Sequence, residues 1–184
     1  MKKLLTMMLF ITMSISLIAC TDAPEEEQTD TKQEEATQQE DTQEEESEAY
    51  FKNNIAETED IKIEITKTKI IPVGETGNEY GDKPVIAFWY KTTNKTDEKV
   101  DPIMAWMFTF IAIQDNNADS LNELEVGMLP DERFLDTQLE NIKKGGTVEN
   151  AVAYELDDEV TPVTLVAKED LLGNEIGRQD YNVK

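Results

Sequence analysis

A chain of 184 residues has room for one domain, or one domain with appendages. Its 40 acidic and 17 basic residues leave a net charge of -23, which argues against unaided nucleic-acid binding and against docking on anionic lipid through a polybasic patch. With no histidine and a single cysteine, Ser-His-Asp triads, Cys-His pairs, histidine-containing zinc sites and intrachain disulfides are all excluded.

Residues 1–19 have the parts of a secretory signal peptide. Lys2 and Lys3 form its positive end, Leu4 to Ile18 its apolar run, and small Ala19 precedes Cys20. The run falls short of the roughly 20 apolar residues that a permanent spanning helix needs. Leu17-Ile18-Ala19-Cys20 resembles the bacterial lipobox. The resemblance implies cleavage after Ala19, a diacylglyceryl thioether on Cys20, and attachment to the outer face of the cell membrane. Two acyl chains suffice for stable anchoring, since each buried methylene contributes about 0.8 kcal/mol.

Residues 20–49 make a different kind of polymer, rich in Asp, Glu, Gln and Thr, with Lys32 as its one basic residue. Such a segment cannot bury enough apolar surface to offset its ordering entropy. It is expected to be a disordered acidic stalk that lifts a domain off the membrane.

From residue 50 to 184 the composition becomes that of a folding domain. Tyr50 to Ile55 reads as an edge strand. Asp60 to Ile70 alternates apolar and polar residues with period two, and Pro84 to Thr93 is a second strand richer in aromatics. Met107 to Ile113 reads as a third, with Asp101-Pro102 holding the preceding segment in a loop. Pro130 to Lys144 reads as a short helix with Leu135, Leu139 and Ile142 on a core-facing stripe. Thr147 to Leu156, Pro162 to Ala167 and an edge strand around Ile176 to Val183 complete the set. Six or seven short strands with turn signals between them predict an immunoglobulin-like antiparallel β-sandwich, mainly β, with one short helix.

Gly81 to Asn94, an apolar strand followed by Tyr90 and then Thr93-Asn94, resembles a signature of a family of Gram-positive surface lipoproteins of unknown function. Lys144 to Leu156, a glycine turn leading into a strand, is similar to that family's second signature, and Pro162 to Leu165 fits as well. The resemblance spans roughly residues 50–183 and implies an immunoglobulin-like fold related to small secreted actinobacterial antigens. The family has no established catalytic residues.

Asp115-Asn116-Asn117-Ala118-Asp119-Ser120 is the most suggestive loop for chemistry. Oxygen ligands at Asp115, Asn117 and Asp119 resemble the opening of a calcium loop. Ser120 stands where the sharp-turn glycine belongs, however, and Val126 where the bidentate glutamate belongs, so an EF-hand is excluded. Asp157-Asp158-Glu159 reads as a hairpin tip. Trp89 is expected in the core, while Trp106 could sit there or in a loop. No cofactor motif is present. The expected function is non-enzymatic: a surface module binding a protein or wall polymer. The alternatives are a calcium-dependent adhesion or envelope-sensing module and a carboxylate-pair glycoside hydrolase.

Overall fold

The computed structural model describes residues 49–184. The signal peptide, Cys20 and all but the last residue of the acidic stalk lie outside the described residues.

In chain order the elements are β1 (Tyr50–Lys52), β2 (Ile55–Glu57), β3 (Ile61–Ile71), β4 (Val85–Asn94), α1 (Pro102–Thr109), β5 (Phe110–Ile113), β6 (Thr147–Glu155), β7 (Val163–Lys168) and β8 (Glu175–Tyr181). Antiparallel pairing builds a five-stranded sheet, β1-β2-β3-β4-β6, and a three-stranded sheet, β5-β7-β8. The fold is therefore the expected mainly β antiparallel sandwich with one short helix. Alternation along β4 and β6 sends Ile86, Phe88, Tyr90, Val152 and Tyr154 inward, where they meet Phe110, Ala112, Leu165 and Ala167 of the smaller sheet. Among the described residues, no helix is long and apolar enough to cross a membrane.

Four local readings of the sequence need correction. Tyr50 to Ile55 supplies the expected edge strand only as far as Lys52, after which the chain turns and returns as β2. Asn53 and Asn54 both take positive φ, 54° and 66°, and supply the two-residue turn that matches strand twist. Asn54 then ties this hairpin to β8, its Oδ1 accepting from the Tyr181 hydroxyl at 2.9 Å.

The helix lies at Pro102–Thr109, where a loop and the start of a strand were expected. Asp101 is its N-cap, with Oδ1 accepting the Met104 N–H at 2.9 Å, and Pro102 occupies the first helical position, where its missing N–H costs nothing. Replacing Asp101 by alanine is expected to destabilise the domain by about 1 kcal/mol, the usual cost of a lost cap, and chemical denaturation would measure it.

Pro130 to Lys144 does not propagate a helix. Asp131 starts only a 3-10 turn at Glu132–Phe134, after which the chain runs through turns to Ile142. Phe134 and Ile142 are buried, but Leu135 and Leu139 are 63% and 69% exposed. A stripe without a surface to pack against contributes little, and helices this short are marginal on their own. Ile142 instead bridges to Val100, its N–H bonding the Val100 carbonyl at 2.7 Å.

Of the two tryptophans, the one expected in the core is not there, and the one left open is. Trp106 is wholly buried at the centre of an aromatic cluster, whereas Trp89 is only partly buried and lies on the opposite, outer face of the large sheet. Register explains Trp89, which alternates with inward-facing Phe88 and Tyr90, while Trp106 lies on the buried side of α1.

Candidate ligand groove

The outer face of the large sheet is shaped by a β-bulge. In β3 the apolar residues run Ile61, Ile63, Ile65 and then resume at Ile70, so the alternation slips by one position. The pairing register with β4 shifts between Ile65 and Lys67, leaving Thr66 unpaired in the ladder. Thr66 compensates by donating its hydroxyl to the Trp89 carbonyl at 3.1 Å. A bulge re-aims every side chain that follows it. Without it, Lys67 and Lys69 would point into the core. With it, Lys67 sits opposite Trp89 and Lys69 opposite Ala87, both on the outer face.

Small side chains floor this face: Ala87 of β4, with Ala151 and Ala153 of β6. Two loops wall it. One is the β3–β4 turn, where Asn78 is buried and donates to the carbonyls of Ile71 at 3.1 Å and Lys83 at 2.8 Å. The other follows the bridge of Val126 to Tyr154 and is pinned by the Gly127 N–H to the Ala153 carbonyl at 2.8 Å. The walls touch at Gly77, whose φ of +94° favours glycine and where a Cβ would stand 2.4 Å from the Pro130 carbonyl oxygen. Between them lies a groove of about 440 Å³ that includes Lys67, Lys69, Tyr80, Trp89, Met128 and Arg133. A second hollow of about 200 Å³ shares Lys67, Trp89 and Arg133 with it.

The polar groups of the groove form an ordered set. Trp89 donates its indole N–H to Asp131 Oδ2 at 2.8 Å. Arg133 grips the same carboxylate through Nε at 2.9 Å and Nη2 at 2.6 Å. Lys67 Nζ stands 4.4 Å from the centre of the Trp89 ring. It makes no ion pair with any described residue, whereas Lys69 pairs with Glu75 and Arg133 with Asp131. The groove thus holds a fixed tryptophan edge beside one ammonium without a carboxylate partner, with exposed Tyr80 in its lining.

Arg133 first, then the Trp89 indole, hold the Asp131 carboxyl down at about 2, outweighing partial burial. A lowered carboxylate stabilises the fold above its ordinary pKa, and that contribution disappears as pH falls from about 4 towards 2. Trp89 fluorescence is expected to change across this window in the native chain. Asp131→Asn should remove the change and cost about 1 kcal/mol at neutral pH, as expected for one lost charge-assisted contact at a partly solvated site.

The sequence-predicted metal residues lie elsewhere. Asp115, Asn117 and Asp119 occupy an exposed loop after β5, and Asn117 Oδ1 accepts the Asp119 N–H at 2.9 Å as an ordinary turn. The intervening Asn116 reaches the β6–β7 turn, donating to Asp157 at 2.8 Å and Asp158 at 2.9 Å. Among the described residues, no group of three or more carboxylates or cysteines is placed to hold a metal ion. Asp157-Asp158-Glu159 is not the expected hairpin tip: β6 and β7 belong to different sheets and do not pair, so it lies in the turn that crosses from one sheet to the other. There Asp158 Oδ1 accepts the N–H groups of Val160 at 2.8 Å and Thr161 at 2.6 Å, and these bonds hold its carboxyl well below the usual range.

Two solved structures are similar to this fold. One, described as a candidate lipoprotein from Staphylococcus aureus subsp. aureus NCTC 8325, superposes with a TM-score of 0.61 at 21% identity, covering 73% of this chain and 92% of that one. The NMR structure of a protein from Enterococcus faecalis gives 0.55 at 21% identity, covering 75% and 95%. Likeness at that identity establishes the fold alone. No curated protein matches the chain. A family model described as a domain of unknown function, DUF5067, matches residues 21–169, and on that extent the chain belongs to the DUF5067 family.

Proposed function

We propose that the chain is a lipid-anchored surface protein, held to the outer face of the membrane through Cys20, whose sandwich is a non-enzymatic recognition module. The lipobox-like Leu17 to Cys20 supports the anchor, as does the lipoprotein description of the staphylococcal structure of similar fold. Recognition takes place in the outer-face groove. The observation that carries this reading is the unpaired Lys67 ammonium beside a Trp89 ring fixed by Asp131. A groove of about 440 Å³, lined by polar and apolar side chains alike, is of the size that takes a small ligand or a short stretch of polymer. An acidic wall saccharide supplies both halves of the match, a ring face for the aromatics and a carboxylate for Lys67.

Residues 21–184 titrated with muropeptides are expected to show saturable quenching of Trp89 with the muropeptides recovered chemically intact. Lys67→Glu and Trp89→Phe should each weaken binding about tenfold, the size of a 1.4 kcal/mol contact. Absence of both quenching and heat, or hydrolysed muropeptide, would refute the reading. The anchor is tested separately: Cys20→Ala is expected to move the protein from the membrane fraction to the medium and to abolish labelling by a lipid precursor.

A further inference from the structure

We propose that the outer face of α1 is a docking site for a cationic amphipathic peptide segment of a partner protein. From Pro102 to Phe108 the helix has no polar residue. Its inner side is used: Ala105, Trp106 and Thr109 are buried. The opposite side presents Met104, Met107 and Phe108, spaced i, i+3 and i+4 and 41%, 38% and 44% exposed. A helix apolar all round is normally covered all round. Three large apolar side chains together on a soluble domain, rimmed by polar groups, mark an interaction surface, and methionine is the residue that adapts best to a docked helix.

A hollow of about 200 Å³ lies beside this face, and its lining includes Met104, Ala105, Phe108, Ile61 and Val100. Its far wall is the turn between β7 and β8, whose tip carries exposed Leu171 and Leu172. The charge around the hollow is one-sided. Asp60, Asp101, Glu169 and Asp170 line it against Lys99 alone. Apolar floor and acidic rim together fit a segment with an apolar stripe flanked by lysine or arginine, seated as helix in groove.

The same charges rule out two other occupants. Residues 21–48 of this chain are acidic and carry no large apolar residue, so their sequence does not match an apolar floor with an acidic rim. A second copy would bring a second acidic rim against the first. An anionic membrane surface is disfavoured for the same reason.

The test uses residues 21–184 and a labelled 18-residue Leu/Lys amphipathic helix, with its Leu/Glu counterpart as control, at physiological salt. Anisotropy is expected to show saturable binding of the Lys peptide and none of the Glu peptide. Because the three apolar residues are exposed, Met107→Lys with Phe108→Lys should leave the fold intact, as checked by near-ultraviolet circular dichroism, and weaken binding at least tenfold. Asp60→Asn with Glu169→Gln should weaken it about fivefold and flatten its salt dependence. Binding that the helix-face pair does not change would place the peptide on the acidic stalk and overturn the proposal. So would equal binding of the Glu peptide, or flotation with phosphatidylcholine vesicles in preference to binding the peptide.

Discussion

Replacing Trp106 by alanine is expected to lower the melting temperature by about 15 °C, the largest effect of any single substitution considered for this domain. Trp106 has no exposed surface. Its ring lies 4.4 Å from the Tyr90 ring, 4.5 Å from Phe110 and 5.6 Å from Phe88 between centroids, so it joins the two sheets and the helix at one point. Truncating a buried tryptophan typically costs 3–5 kcal/mol, and for a domain of this size each kcal/mol moves the midpoint by about 4 °C. A second loss is polar. The indole N–H donates to the Tyr154 hydroxyl at 2.8 Å, and burial pushes that hydroxyl's pKa up to about 12. Trp106→Phe keeps most of the ring packing but removes this donor. It is therefore expected to cost about 2 kcal/mol, between the price of one hydrogen bond and that of the whole side chain. Thermal unfolding followed by circular dichroism would order the variants. If Trp106→Ala melts within 5 °C of the native chain, the helix is not part of the cooperative core.

How much of this was legible in the sequence depends on which signals compete. The long strands were, because the alternation of Ile61 to Ile65 and the β-rich run Val85 to Thr93 have no rival interpretation. The helix was not, because Ile103 to Ile113 is apolar at nearly every position and shows neither period. Only the Asp101-Pro102 pair distinguished a start of helix from a loop, and a cap contributes too little to decide when the run behind it fits a strand as well. The reverse error at Pro130 to Lys144 has the same origin. Good end signals were present, and Asp131 does cap a turn by accepting the Arg133 N–H at 3.2 Å, but Leu135 and Leu139 found no surface to pack against.

The groove was partly written in the sequence. A phase slip between Ile65 and Ile70 marks a bulge, and the two lysines at Lys67 and Lys69 are the residues it turns outward. What no local pattern shows is that the loop carrying Asp131 returns to Trp89, 42 residues earlier in the chain. The family signature was readable for a similar reason. Gly81 to Asn94 is a short turn and then β4, whose spacing is fixed locally, and the chain belongs to the DUF5067 family over residues 21–169, where the resemblance spanned roughly 50–183.

Gln114 carries the second large effect. It is fully buried just beyond β5, and its carboxamide fills the turn between β6 and β7. Nε2 donates to the carbonyls of Asp158 at 3.0 Å and Thr161 at 2.7 Å. Oε1 accepts the N–H groups of Asp157 at 2.7 Å and Asp158 at 3.2 Å. One side chain thus satisfies four backbone groups that no ladder reaches. Gln114→Ala should cost about 3 kcal/mol, since several backbone groups lose a partner in a partly buried place. Amide exchange should rise first at residues 157 and 158. Gln114→Glu is the sharper experiment because it preserves shape. At neutral pH the new carboxylate faces the two carbonyl oxygens that Nε2 served, so ionisation is disfavoured in the fold and the glutamate pKa is expected to rise above its unfolded value. The penalty then builds as pH climbs from the unfolded value near 4.3 through the raised one, and is absent below both. Measured by urea denaturation, Gln114→Glu should lie close to the native chain at pH 4 and fall several kcal/mol below it at pH 8. A variant equally stable at both would mean that the carboxamide donates to water, and that the turn is held by Asp158 alone.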